Sequence, residues 1–335
     1  MTAVTETSEV AVAPAPLLRM FAWSVVGMTF AYLLNCYLSF WQDWPGILSL
    51  LPGTRSTSAG ILPWVQLAIY ALAILSAIAY AGQTSRSRGL RADSMLLNDM
   101  SAYIIRAAFW GVLLVGFVDA AISFLRVEGL LVGIVGGDLD KALSRARFRG
   151  PYVHMPLVAL GLVIAALTRG IGFMWLALLV VAAELAIVIT RFVFSYEQAF
   201  MGDLVRFWYA ALFLFASAYT LFEDGHVRVD VFYAGFSPRT KGKVNTVGAV
   251  LLGMMLCWTV LALGMWSKSS ILVSPLVGYE VSQSGFGMYI KYLMAGFLTI
   301  FAVTMMIQFA SSFLESAANA RGEPGERIIE VEITH

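Results

Sequence analysis

The residues with most chemical potential in this sequence are the few charges set inside long apolar runs. Glu184 lies in WLALLVVAAELAIVI, about ten residues, or roughly 15 Å of helix, from the end of its run. Arg191 follows on the same helical face but too far along the axis for a direct pair. Arg106 and Asp119 share another run and are likewise too far apart to pair with each other. An ionisable group in a membrane span is costly, so each is a functional hypothesis by default. A mid-depth carboxylate such as Glu184 could hold a coupling ion or a proton; it could equally contact a neighbouring helix or subunit. The unbroken run around it favours contact, because carrier ion sites use broken helices whose free carbonyls coordinate the ion. Asp119 and Arg191 fall at similar depth near one surface, and the expectation is that they pair, fastening the first half of the chain to the second. The alternative is that Arg191 and Arg106 extend to the headgroups while Asp119 meets water.

Other chemistries find little material. The three histidines are scattered: His154 at a helix mouth, His226 in a loop and His335 at the last position. A haem-bearing membrane cytochrome would need histidines paired across helices. The two cysteines sit in apolar runs and support neither a disulfide scaffold nor a Cys-rich metal site. Gly133, Gly136 and Gly137 lack the strand-turn-helix context of a phosphate loop. No acid–base pair or activated nucleophile stands out, so the reading is not an enzyme, with no cofactor. A formal charge of +1 argues against a nucleic-acid binder.

The elements that carry these charges are membrane helices. Of the 335 residues 59% are hydrophobic and only 13% charged, and the mean hydropathy is +0.79. That apolar mass exceeds what one soluble core can bury beneath a polar shell, so lipid must solvate much of the surface. The fold class is therefore all-α polytopic integral membrane protein. Runs of about 20 apolar residues give eight spans: Leu17–Phe40, Ile61–Ala81, Ala102–Phe124, Val153–Leu167, Ile171–Phe194, Val205–Leu221, Val244–Trp266 and Tyr289–Phe313. The fourth and fifth form a tight hairpin at Thr168-Arg169-Gly170. Residues 1–16, small and polar with no Lys or Arg, read as a disordered tail before an uncleaved helix, and residues 318–335 as a polar C-terminal tail. No C-terminal lipidation signal is read at the closing Ile-Thr-His.

Basic residues orient the spans. With both termini cytoplasmic, the inner segments hold Arg19, Arg86, Arg88, Arg91, Arg169, Arg228, Arg239, Lys241, Lys243, Arg321 and Arg327. One outer stretch violates the bias, and within it DLDKALSRARFR spans Asp138 to Arg149. Read as one helix, it places Lys141, Arg145 and Arg149 on one face and Leu139, Ala142, Leu143 and Ala146 on another. Such a helix either lies flat with its basic side on lipid phosphates or is a short solvated helix over the ends of the spans. The only boundary in the chain falls near Pro151–Arg169.

The most informative stretch opens TRFVFSYEQAFMGDLVRFWYAALFLFASAYTLFEDGHVRVDVFYAGFSPRTKGKV. A helix ends at Arg191-Phe192-Val193-Phe194, an acidic turn carries Glu197 and Asp203, and an aromatic-rich helix follows. Then come Gly225-His226-Val227-Arg228-Val229-Asp230 and Ser237-Pro238-Arg239. If the loop is extended, His226, Arg228 and Asp230 share one face. They could fix the loop against a partner, or form a self-contained turn in which Asp230 caps or pairs with Arg228 or the basic run. An outer loop with Gly278, Glu280 and Ser282 and a final Phe- and Met-rich helix complete the pattern. Over roughly residues 171–317, about 40% of the chain, this resembles the small membrane (DctQ-type) subunit of tripartite ATP-independent periplasmic (TRAP) transporters. Two features depart from the family pattern. About 165 residues with up to four helices, the 17–167 extension, precede the DctQ-like four-helix domain, and Asp203 stands where a paired Glu-Glu is expected.

The resemblance implies a small, non-catalytic permease subunit in the inner membrane of a bacterium, part of a secondary importer of small organic acids. Its implied partners are a large (DctM-like) permease subunit, which would hold the substrate and coupling sodium, and a periplasmic (DctP-like) solute-binding protein, besides membrane lipid. Candidate structural or interface residues are His226, Arg228, Asp230, Glu184, Arg191, Asp119, Asp203 and Glu280, with Ser195–Leu204 and Lys268–Gly287 as surfaces for the binding protein. The rival readings are a stand-alone carrier using Glu184 as its proton or ion site, and a quinone- or haem-linked enzyme subunit, which the histidine count opposes.

Overall fold

A computed structural model describes residues 14–51, 60–84, 87–170, 173–196, 198–223, 231–281 and 287–325. Among the described residues eight helices are long and apolar enough to cross a membrane: α1 Pro16–Phe40, α2 Leu62–Gln83, α3 Leu90–Val127, α4 Ala146–Leu167, α5 Phe173–Val193, α6 Met201–Phe222, α7 Pro238–Gly264 and α8 Lys291–Arg321. Among the described residues there is no strand. All eight expected spans are present, and the differences lie at their polar ends.

Local sequence explains where several helices begin and end. Proline occupies the first turns of α1, α2 and α7, where its missing N–H costs nothing. At α7 the Ser237 side chain also accepts the Thr240 N–H at 3.3 Å. Gly322, at φ +70°, turns the chain out of α8. The Glu323 N–H returns to the Ala318 carbonyl and the Gly322 N–H to that of Asn319, satisfying two end carbonyls.

The core is built around α3 and α8, which run antiparallel in close contact; α8 also packs on α1, α6 and α7. Helix α3 begins at Leu90, twelve residues before the apolar run that predicts it, because its polar first turns are held by neighbours. Asp93 accepts from Arg19 Nε at 2.7 Å and from Trp23 Nε1 at 2.9 Å, and Arg19 and Asp93 are both buried. Arg91 bonds Glu315, Asn319 Oδ1 at 2.7 Å and the Pro324 carbonyl at 3.0 Å. Farther along, Ser94 meets Ser311 at 3.0 Å and Ser101 Oγ reaches the Thr304 carbonyl at 3.2 Å. These bonds bring the starts of α1 and α3 and the end of α8 together, so both described ends of the chain lie at one end of the bundle. In hydrocarbon, small residues and interhelical hydrogen bonds replace the hydrophobic effect as the glue between helices.

The other helices wrap this pair. α2 packs on α1, α4 on α3, and α5, the least buried span, mainly on α6. Between α3 and α4 the chain forms short helices at Leu131–Val135 and Gly137–Leu143 before α4 starts at Ala146. The single basic helix expected over Asp138–Arg149 is therefore broken at Ser144-Arg145. Its last residue, Arg149, turns inward and is fully buried instead of facing lipid phosphates. A wide π turn at Gly150–His154 then leads into the rest of α4. This extends the fourth span seven residues before its expected start.

Two glycines set helix separations. A Cβ on Gly161 of α4 would stand 2.7 Å from the Gly111 backbone nitrogen of α3. A Cβ on Gly242 of α7 would stand 2.4 Å from the Ala320 nitrogen of α8. Neither neighbour is a side chain that could swing away. Gly161→Ala and Gly242→Ala should each destabilise the detergent-solubilised protein by about 1–3 kcal/mol, the usual cost of overpacking. Gly248→Ala, in the same helix as Gly242 but with open space around it, should be neutral or stabilising through helix propensity. Thermal melts of the three variants check the contrast.

Candidate functional site: a buried ionic cluster joining the two halves

Asp119, late in α3, is fully buried. A carboxylate there needs donors on both oxygens. Oδ1 accepts from Arg149 Nη1 at 2.7 Å and lies 3.0 Å from His154 Nε2. Oδ2 accepts the Tyr289 backbone N–H at 2.9 Å. The other ring nitrogen of His154, Nδ1, is 2.9 Å from the Tyr292 hydroxyl. Both ring nitrogens of His154 are thus within hydrogen-bond distance of a partner, one on α3 and one on α8. The nearest cation to Asp119 is Arg149.

Arg149 is anchored by three further contacts. Its Nε donates to the Leu143 carbonyl at 2.9 Å, and Nη1 also lies 3.4 Å from Ser123 Oγ. Its guanidinium sits over the Tyr289 ring, 4.2 Å from the centroid. Among the described residues Nη2 has no hydrogen-bond partner, and the π face is the guanidinium's remaining polar contact. Arg126 lies 4.8 Å from the same ring and donates to the Tyr289 hydroxyl at 2.6 Å. That hydroxyl in turn donates to the Ser144 carbonyl at 3.1 Å. Tyr289 thus joins the ends of α3, α4 and α8.

Three acidic candidates from the sequence converge on the segment entering α8. Asp119 holds the Tyr289 N–H, Asp203 Oδ2 accepts the Met288 N–H at 3.1 Å, and the Glu280 carbonyl accepts the Tyr292 N–H at 3.0 Å. The Glu280 carboxylate pairs with Lys291 at 2.5 Å. Asp203 also lies 3.5 Å from Arg206, one turn along α6. Tyr279, in the left-handed region at φ +50°, packs edge-on against Tyr292 and beside Gly150. At the same end the Tyr196 hydroxyl donates to Glu128. That bond, next to a negative carboxylate, raises the phenol above its ordinary range.

The cation beside Asp119 is Arg149, so the expected Asp119–Arg191 pair is not formed; Arg191 is on the exposed face of α5. Asp119 meets the second half through the Tyr289 N–H and, by way of His154, the Tyr292 hydroxyl. Glu184 is exposed on the outer face of α5. His226, Arg228 and Asp230 lie outside the described residues. Sequence reasoning missed Arg149, His154 and Tyr292 as partners of Asp119. The available signal was Gly150-Pro151, between Arg149 and His154, which disfavours a regular helix at that point.

Comparison with known families bears on the second half. Residues 176–319 match the family model of the DctQ component of tripartite ATP-independent periplasmic transporters. That family is a transporter component and not a catalytic one. The match takes in most of α5, all of α6 and α7 and nearly all of α8, but none of α1–α4. No curated protein and no solved structure matches the chain. The eight apolar helices make it a multi-pass membrane protein, and the buried cluster spans the seam between the DctQ-like segment and the extension that precedes it.

Asp119→Asn should cost about 3–5 kcal/mol, because it leaves the Arg149 charge buried and unbalanced. Replacing both partners, Asp119→Leu with Arg149→Met, should cost clearly less than the sum of the two single changes. Denaturant unfolding in detergent measures this; strict additivity would refute the coupling.

Proposed function

We propose that this chain is the small, non-catalytic permease subunit of a TRAP-type secondary transporter that imports small organic acids across a bacterial inner membrane. In this reading both termini are cytoplasmic, and the Asp119 cluster lies at the periplasmic end. The observation that carries the proposal is the DctQ match across four successive helices. The substrate and the coupling sodium would reside in a large, DctM-like subunit, and a DctP-like binding protein would dock on the periplasmic loops.

The outer surface supports a scaffolding role. Along α5, Leu178, Val181, Leu185 and Val188 are all about half exposed or more, and Glu184 stands among them. An ionisable group facing hydrocarbon is costly and calls for a donor or cation from a neighbour. The same placement counts against the stand-alone carrier. Glu184 lies on the rim of the bundle, on an unbroken helix, and not between helices where an ion could be enclosed. The extension contributes rigidity: α3 braces α8 along its length, so the DctQ-like helices meet a partner as a preorganised surface.

Glu184→Leu should fold normally, with an unchanged melting profile, yet reduce co-purification of the large subunit several-fold; Glu184→Gln, which keeps hydrogen bonding, should retain more. Unchanged recovery with Glu184→Leu would remove Glu184 from the interface. Robust substrate uptake by liposomes containing this chain alone would overturn the subunit reading itself.

A further inference from the structure

A second feature of the seam is apolar. A crevice of about 260 Å³ lies between α3 and α4 of the extension and α6 and α8 of the DctQ-like segment. Its buried side includes Ala107, Val112, Val115, Phe207 and Phe297. Met155 and Leu162, which also line it, are 41% and 46% exposed, so the crevice reaches the outer face of the bundle beside α4. The hydroxyl of Tyr103, at its far end, is already used by the Leu162 carbonyl at 3.1 Å. Among the described residues its walls are almost wholly apolar.

Its length is of the order of one acyl chain. From Val115 to Tyr103 the lining follows α3 for about 18 Å. This compares with about 15 Å for half of a bilayer core roughly 30 Å thick. Leu293 and Met155 mark the end nearest the Asp119 cluster, and Tyr103 and Ile300 the opposite end.

Charge and aromatic residues stand where a headgroup would be. Arg147 is eight residues before Met155 on the same continuous helix, about 12 Å toward the membrane surface. It and Arg145 are exposed, while Lys291 on the other side is occupied by Glu280. Tyr152, 69% exposed and 4.8 Å from the Phe148 ring, lies between Arg147 and the crevice, as interfacial aromatics do.

We propose that this crevice is a binding site for one phospholipid, an acyl chain filling the seam and an anionic headgroup meeting Arg145 and Arg147. The lipid then acts as a wedge between the extension and the DctQ-like segment, beside the ionic cluster that ties them together. The proposal is independent of what partner the chain assembles with.

Native mass spectrometry of the full chain, reconstituted in vesicles of phosphatidylglycerol and phosphatidylethanolamine and then stripped in a delipidating detergent, tests it. The wild type should retain one phospholipid, phosphatidylglycerol several-fold over phosphatidylethanolamine. Arg145→Glu with Arg147→Glu should abolish that preference. Gly296→Leu and, as a second route should the first misfold, Ala108→Phe place bulk in the crevice and should release the lipid while the helical content is kept. Retention of no lipid by the wild type, or undiminished retention by a folded crevice variant, would overturn the proposal. So would capture of a partner polypeptide in place of lipid by a photocrosslinker at Ile104.

Discussion

A carboxylate cannot stay ionised in a membrane protein's interior without partners, and the position of Asp119 imposes much of the architecture around it. Three groups from two parts of the chain serve it: Arg149 and His154 from the fourth span, and the Tyr289 backbone at the entry to the last. Each group constrains its own element. Arg149 must turn inward, so the basic stretch breaks into two short helices. His154 must face α3, which the π turn at Gly150–His154 allows. The segment before α8 must lie close enough for its N–H groups to reach Asp119 and Asp203. Asp119 therefore fixes the relative position of α3, α4 and α8 at that end, and Asp203 ties in α6.

The opposite end is fixed by a separate set of charges. Arg19 with Asp93 ties α1 to α3, and Arg91 with Glu315 ties α3 to α8. Between the two ends, serine and threonine contacts and closely approaching glycines hold the helices together with little specific polar chemistry. The arrangement resembles a beam clamped at both ends. In such a structure the extension is not an appendage to the DctQ-like segment, because α3 forms the central partner of α8. A polar network of this kind specifies geometry more than it adds net stability. That suits a subunit whose proposed task is to hold a fixed surface toward other proteins.

The charges divide by location. Asp93, Asp119 and Arg149 are buried and matched within the chain, whereas Glu184 faces outward in the middle of a span. That contrast agrees with a molecule whose interior is complete and whose outer face is finished by something else. The apolar crevice in the seam is a second place where the protein's own side chains leave space, and there the surrounding chemistry suits a lipid and not a polar ligand.

The eight spans were legible in the sequence because hydropathy over some twenty residues depends on composition alone. The DctQ resemblance was legible because its residues are contiguous. Asp119 was also visible as costly, and so was the need for a partner across the two halves. The identity of that partner was not. Arg191 and Arg149 are both arginines at the same end of the membrane, and neither depth nor periodicity ranks one above the other. The choice rests on which helix packs against α3, and on a π turn that rotates His154 and Arg149 inward. Sequence determined the number of helices, their order and the burden of their charges. Only the tertiary structure decided the pairing, because a buried charge chooses its counterion by distance in space and not by position along the chain.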